Sequence, residues 1–424
     1  MGTLDSIALV ALVMMCGLIL LVLFEPGLSY HVVSPDLPLD SADFIAICGT
    51  VADTEIRCLE SFEVLGEGRR FYAAELADIA EARSSVHVLA FIFHRSPAGD
   101  QFVAALAERA SKGVKVRVIV DAVGSFLTRD AYFSPIREAG GEVAWYQPLR
   151  WYTFKRLNNR VHRELIVIDG EVGYIGGAGI GSHWLGGDGH GKAAWRDTMV
   201  RCTGSIVAGM QTAFIANWLE STAEILADRE IFPAARIGDA GGTALIVSSA
   251  PSPARGSRAR VLFQLLLASA RQSITINSPY FLPDRSARRE LIKAAQRGVR
   301  ISVVTPGEAN NHPIARRASR RRYGELLEAG IAIHEYQPGM IHAKIMVVDE
   351  LWSVVGSTNF DSRSFDLNDE VNLAAMDAAL AARLLQDFAA DVAASRVITY
   401  DDWLRRPWHE RLLALLGVFL ERQE

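Results

Sequence analysis

Two short runs of residues in this chain of 424 have the types and spacing to do chemistry. The first is His342-Ala343-Lys344-Ile345-Met346-Val347-Val348-Asp349, followed by Gly356-Ser357-Thr358-Asn359. Residues two apart on a strand share a face, so His342 and Lys344 point the same way. Both are costly to bury, yet they sit in an apolar, β-branched run. Alone, the run would be explained by a strand whose outer face carries His and Lys. The chain also holds an altered copy, His162-Arg163-Glu164-Leu165-Ile166-Val167-Ile168-Asp169, and that explanation no longer suffices. Two histidines brought to one seam suit phosphoryl transfer with an alcohol leaving group. One neutral imidazole attacks phosphorus and forms a phosphohistidine. The other gives a proton to the departing oxygen and later takes one from the incoming nucleophile. Lysine and hydroxyl or amide donors stabilise charge on the non-bridging oxygens. Such a site needs no metal and no cofactor, and no EF-hand, P-loop or HExxH pattern is present.

The elements that position these residues repeat as well. Ser84-Ser85-Val86-His87-Val88-Leu89 answers Gln272-Ser273-Ile274-Thr275-Ile276-Asn277, and Lys112-Gly113-Val114-Lys115-Val116 answers Arg297-Gly298-Val299-Arg300-Ile301. Glu138-Ala139-Gly140 with Tyr146-Gln147-Pro148 answers Glu328-Ala329-Gly330 with Tyr336-Gln337-Pro338. With the two histidine runs these correspondences keep one order, which predicts an internal duplication. Strand patterns alternating with helix patterns predict an α/β fold of two pseudo-twofold-related halves with mostly parallel sheets. The expected layout is a membrane anchor over 1–27, a linker over 28–60, a first half over 61–235, a Gly-, Ala-, Ser- and Pro-rich joint over 236–258, and a second half with C-terminal helices over 259–424.

The net charge of −5 gives no reason to expect nucleic acid as a partner. Cys16, Cys48, Cys58 and Cys202 are too few and scattered for a disulfide framework or zinc site. Ile7–Phe24 is uninterruptedly apolar and as a helix would be roughly 27 Å long, close to the thickness of a bilayer core. Met1–Ser6 has no Lys or Arg and no small-x-small cleavage site follows, so an uncleaved single pass is expected rather than a signal peptide. Neither flank carries the positive charge that would set its orientation. The basic run Arg316, Arg317, Arg320, Arg321 and Arg322 either attracts anionic lipid or is a solvated helix face. Trp145, Tyr146, Trp151 and Tyr152 either line a lipid entrance or pack under a loop. His183, His190 and His312 lack ligand spacing. The tail from Asp401 reads as an interfacial or a packed amphipathic helix.

The doubled His-x-Lys-x-x-x-x-Asp pattern with Gly-Ser-x-Asn behind its second copy resembles the phospholipase D superfamily, and within it the bacterial cardiolipin synthases and related phosphatidyltransferases. Asp121-Ala122-Val123-Gly124-Ser125, Trp195-Arg196-Asp197-Thr198 and Ser278-Pro279-Tyr280-Phe281-Leu282-Pro283-Asp284 support the likeness, which runs from about Phe71 to the end of the chain. The resemblance implies a membrane-anchored enzyme of the bacterial inner membrane that moves a phosphatidyl group from phosphatidylglycerol or a similar phospholipid to an alcohol. It implies His162 as nucleophile and His342 as general acid and base. It also implies carboxylates that orient the rings, Asp197 for His162 and Glu370 for His342. Asp169 and Asp349 belong to the catalytic motifs and are expected to brace strand ends; Ser357 and Asn359 are expected at the substrate. A phospholipid hydrolase releasing phosphatidic acid, a nuclease and a catalytically quiet lipid-binding relative are the alternatives. The first copy departs from the pattern: Glu164 stands where the lysine should be, and Gly177 and Gly179 stand opposite Ser357 and Asn359. An ionised carboxylate there would repel a phosphodiester. Either Lys344 or Arg163 neutralises Glu164, or Glu164 binds polyol hydroxyls, or the first half is impaired.

Overall fold

The computed structural model describes residues 30–33, 36–148, 159–186, 193–227, 241–251 and 257–406, with a few positions before residue 18. Most of Ile7–Phe24, and all of Trp151, Tyr152, His190 and residues 407–424, lie outside this set. Among the described residues no helix is long and apolar enough to cross a membrane.

A short strand, β1 (Arg57–Leu59), precedes the first half. That half contributes β2 (Ser61–Leu65), β3 (Ser85–Ala90), β4 (Lys115–Asp121), β5 (Glu142–Tyr146), β6 (Leu165–Ile168), β7 (Val172–Gly176) and β8 (Met199–Thr203). They form one sheet in the order β2-β8-β7-β6-β3-β4-β5. The second half contributes β9 (Gly242–Ser249), β10 (Ser273–Asn277), β11 (Phe281–Leu282), β12 (Arg300–Pro306), β13 (Ala332–Tyr336), β14 (Ile345–Val348), β15 (Trp352–Gly356), β16 (Phe360–Asp361), β17 (Glu370–Met376) and β18 (Ser395–Ile398). Its sheet, β1-β9-β17-β15-β14-β10-β12-β13-β18, repeats the first order strand for strand and adds β1 and β18 at its edges. The duplication read from the sequence is therefore a duplication of topology.

The sheets are mixed, not mostly parallel. Only β3-β4-β5 and β10-β12-β13 run parallel within them; β6, β7 and β8, and likewise β14, β15 and β17, run antiparallel. The reason is connection length. Helices Pro97–Ser111 and Arg285–Gln296 return the chain for parallel pairing, whereas Asp169-Gly170-Glu171 is too short for anything but a hairpin. Asp169 and Gly170 both have positive φ (54° and 67°), as do Asp349 and Glu350 (52° and 58°). That is the backbone a tight two-strand turn requires.

Strands β6 and β14 are apolar throughout because both faces are covered. Leu165 and Val167 of β6 join Ile345 and Val347 of β14 in one core between the sheets. Ile166 and Ile168 pack outward under the first half's helices, Met346 and Val348 under the second's. Residues 28–60 hold a helix, Ala42–Val51, as well as β1, and Phe44 and Cys48 of that helix are buried in the second half's outer core. The expected joint over 236–258 contains β9. Its signal is the run Ala244-Leu245-Ile246-Val247, which small residues on both sides obscure.

Candidate active site

Each histidine lies just before its strand, at the end of the molecule where β6 and β14 begin. There the two halves are stitched together by main chain. Val161 bridges Asp369 and Ile341 bridges Arg196. His162 N donates to Asp369 O (2.9 Å) and His342 N to Arg196 O (2.6 Å). The segment carrying each histidine thus runs beside the segment that leads into the opposite half's carboxylate.

The orienting pairs cross the seam in consequence. His162 Nδ1 donates to Glu370 (3.1 Å to Oε1, 3.0 Å to Oε2), and His342 Nδ1 donates to Asp197 Oδ2 (2.8 Å). This reverses the expected assignment of Asp197 to His162 and Glu370 to His342; counting along one half cannot reveal a partner that comes from the other. Both carboxylates are wholly buried and held in turn. Trp184 Nε1 (3.1 Å) and Thr198 N (2.8 Å) donate to Asp197. Ser357 Oγ and Asn368 Nδ2 (3.2 Å) donate to Glu370. A carboxylate on Nδ1 fixes the tautomer that carries the proton there.

Ser357, expected at the substrate, instead spends its hydroxyl on Glu370 and so steadies His162. Asn359 is buried, and its Oδ1 has no hydrogen-bond partner among the described residues; that oxygen can accept from a ligand hydroxyl, whereas only the amide nitrogen could donate to a phosphate oxygen. Lys344 is buried against His342, donating to His342 O (2.6 Å), with Nζ 2.8 Å from His342 Nδ1 and 3.0 Å from its Nε2. Burial brings its pKa down to about 8, against the pull of Asp197, Glu370, Glu164 and Asp361. Burial, then the Lys344 charge, brings His342 down to about 4.

Glu164 is buried, and Ile92 N donates to its Oε1 (3.2 Å). Gly179 makes room for it: a Cβ there would stand 2.8 Å from Glu164 Oε1 and 2.6 Å from Ile92 O. At Gly177 a Cβ would stand 2.6 Å from Asp197 Oδ1 and 3.1 Å from the Lys344 stem. Gly179 thus leaves room for Glu164, and Gly177 leaves room for Asp197 and Lys344. Arg163 does not neutralise Glu164; its guanidinium is taken by Glu370 O, Ala213 O, Asn217 Oδ1 and Ser249 O. Burial drives Glu164 well above the usual carboxylate range, with the Ile92 N–H and Lys344 pulling the other way. Burial thus favours the neutral acid form, which can donate a hydrogen bond, over the carboxylate.

Asp169 and Asp349 do not reach the histidines. They sit in the hairpin turns at the opposite ends of β6 and β14. Asp169 accepts N–H bonds from Arg83 (2.9 Å), Ser84 (2.8 Å) and Ser85 (2.9 Å). Asp349 accepts them from Arg271 (2.8 Å), Gln272 (2.7 Å) and Ser273 (2.9 Å). Each ties its hairpin to the start of the neighbouring antiparallel strand, β3 or β10.

Aromatic rings that the sequence did not single out flank the imidazoles: Phe91 edge-on to His162 (5.1 Å between centroids), Trp195 and Trp184 beside His342 (5.3 and 6.0 Å). Phe91 directly follows β3, and that position is its only sequence signal. Trp145 and Tyr146 are packing residues, with Trp145 against Phe133 and the Tyr146 hydroxyl on Glu220 and Asp369. In the basic run, Arg316 and Arg320 hold the buried Glu335 (3.1 and 2.9 Å). His183 stacks among Trp184 and Trp195, and His312 caps a helix through Ala315 N (3.4 Å). Among the described residues no group of His, Cys, Asp and Glu could hold a metal ion.

This fold, with one histidine from each half meeting at the seam, defines the class. The family described as "Cardiolipin synthase, PLD-like domain" matches residues 76–186 and 264–392, a block in each half. The chain belongs to that phospholipase D-like family and is an enzyme of the phosphatidyltransferase type. It is 34% identical over 349 residues to cardiolipin synthase 1 of Staphylococcus epidermidis, covering 81% of this chain and 70% of that one. It is 35% identical over 351 residues to the major cardiolipin synthase ClsA of Bacillus subtilis, covering 82% and 72%. In fold it is similar to the crystal structure of phosphatidylserine synthase from Haemophilus influenzae, with a TM-score of 0.70 at 15% identity over 89% of this chain and 98% of that one.

Proposed function

We propose that the protein forms cardiolipin or a close analogue by moving the phosphatidyl group of phosphatidylglycerol, or a similar phospholipid, to an alcohol through phospho-His162. His162 Nε2 attacks phosphorus. The bond from phosphorus to the headgroup oxygen breaks, and that oxygen leaves with a proton from His342. An incoming hydroxyl then gives its proton to His342 and attacks phosphorus, and the P–N bond breaks. Lys344 and Asn359 hold the non-bridging oxygens. Glu164, as a neutral acid, donates a hydrogen bond on the first-half side, where the family pattern has a lysine. The apolar run Ile7–Phe24 anchors the enzyme in the bacterial inner membrane.

The observation that carries this reading is the crossed pairing, in which each buried carboxylate fixes the Nδ1 of the opposite histidine. One observation favours exchanging the two roles: His342 is held neutral, with a pKa near 4, and a neutral imidazole is the better nucleophile. The bound anion would raise that pKa, which suits the acid role. Purified enzyme incubated with phosphatidylglycerol is expected to release glycerol and form cardiolipin, and the His162→Ala variant is expected to form none. Phosphatidic acid as the sole product would make the enzyme a hydrolase; no product from any phospholipid would sink the proposal.

A further inference from the structure

Among the described residues after Tyr30, the most exposed large apolar side chains are Ile225 (81%), Val33 (77%), Leu127 (71%) and Phe126 (70%). Val33 lies on a segment that runs on to Asp36, whose carbonyl accepts from Arg271 beside the Asp349 turn; Ile225, Leu127 and Phe126 belong to the end of the molecule that carries the histidines. Phe126 and Leu127 ride the loop after β4. Asp121, at the end of that strand, accepts Val161 N (3.1 Å), and Phe91 O accepts from Ser125 Oγ (3.0 Å). Ile225 follows helix Ile206–Thr222, whose Asn217 donates to Asp369 Oδ2 (2.6 Å) and whose Glu220 accepts from Tyr146. From the second half, Ile314 is exposed in the first turn of helix Pro313–Glu328 after β12.

Tyr30 lies at this same end. Tyr30 N donates to Ser286 Oγ (3.0 Å), and the Tyr30 ring lies 4.3 Å from the guanidinium of Arg260. Ser286 begins the helix after β11, and Arg260 begins the helix after β9, whose last residue Ser249 pairs with Glu370. Only residues 25–29 separate Tyr30 from the apolar run ending at Phe24, a span of at most about 20 Å. Exposed Arg69, Arg129 and Arg317 lie at the starts of elements on this end, where they match anionic headgroups.

We propose that this end is a membrane-docking face: Phe126–Leu127, Ile225 and Ile314 enter an anionic lipid bilayer around the mouth of the site, so that phospholipid passes laterally to the histidines without crossing water. Scattered exposed apolar residues are ordinary on a protein surface. Their gathering at the histidine end, which Tyr30 also reaches, is what a lipid interface requires. The hairpin turns at Asp169–Glu171 and Asp349–Glu350 then face away from the bilayer.

The inference rests on the lipid substrate of the proposed function only for its second test. In the first, the full chain with Cys16→Ser and Cys58→Ser receives a single fluorophore at Leu127→Cys, Ile225→Cys or Glu171→Cys and is reconstituted in vesicles containing phosphatidylglycerol. Lipids brominated in their acyl chains are expected to quench the label at 127 and 225 and to leave that at 171 unchanged. Equal quenching at all three, or quenching at 171 alone, would overturn the proposal whatever the enzyme catalyses. In the second, Phe126→Ser/Leu127→Ser is expected to lower turnover of long-chain phosphatidylglycerol in vesicles about tenfold, given the apolar area withdrawn from lipid. Turnover of soluble short-chain phosphatidylglycerol should stay unchanged. Equal loss on both substrates would mean that the loop supports the site and does not dock.

Discussion

An ionised Glu164 near His162 would oppose phosphodiester binding, and its burial favours the neutral acid instead. The Gln variant keeps a neutral donor of the same shape, so Glu164→Gln should stay within about threefold of wild type, whereas Glu164→Ala should lose about tenfold, the worth of one neutral hydrogen bond. A Gln variant as slow as the Ala variant would show that the acid proton itself is transferred. Lys344 sets a pH limit. Its charge is present below about 8 and lost as pH rises through that value, so kcat/KM, which reports the free enzyme, should fall above pH 8. Lys344→Arg should move that fall to higher pH; an unmoved limb would assign it to another group. At this scale type and spacing do not tell what a side chain touches. His162, His342, Lys344 and Glu164 were found by type and spacing, but Ser357 turned out to hold Glu370, and the glycines opposite Ser357 and Asn359 made sense only once the space they leave was visible.

Among the elements, β6 and β14 with their hairpins form the frame on which each histidine rides. Asp169 and Asp349 lock that frame from the far end by accepting three N–H groups each. Replacing either by Ala leaves donors unpaired at about 1–3 kcal/mol. Asp169→Ala and Asp349→Ala should therefore lower Tm by several degrees, while the folded enzyme keeps its pH profile. A variant with unchanged Tm and lost activity would return these aspartates to the chemistry. The alternation of apolar residues and the helix signals gave the parallel strands. The short Asp-Gly-Glu and Asp-Glu-Leu turns contained the evidence for antiparallel hairpins, but continuous apolar runs do not carry strand direction. Strand β9 was missed because four core residues among Gly, Ala and Ser read as a joint.

At the scale of the whole molecule, two copies of one sheet place their β6 and β14 ends together, and the site exists only because each half completes the other. The duplication was legible in ordered repeats. The crossing of Asp197 to His342 and Glu370 to His162 was not, since it depends on how the halves dock. It carries a prediction: Glu370→Gln should slow attack by His162, and Asp197→Asn should slow the proton steps at His342, each by about 10²–10⁴, the span of acid–base contributions. The most direct measurement is rapid quenching of the enzyme with phosphatidylglycerol, followed by mass spectrometry of its histidine peptides under alkaline conditions. A phosphatidyl adduct on His162 that builds up in the Asp197→Asn variant and fails to form in Glu370→Gln is the predicted result. An adduct on His342, or cardiolipin formed with no adduct on either histidine, would contradict the account.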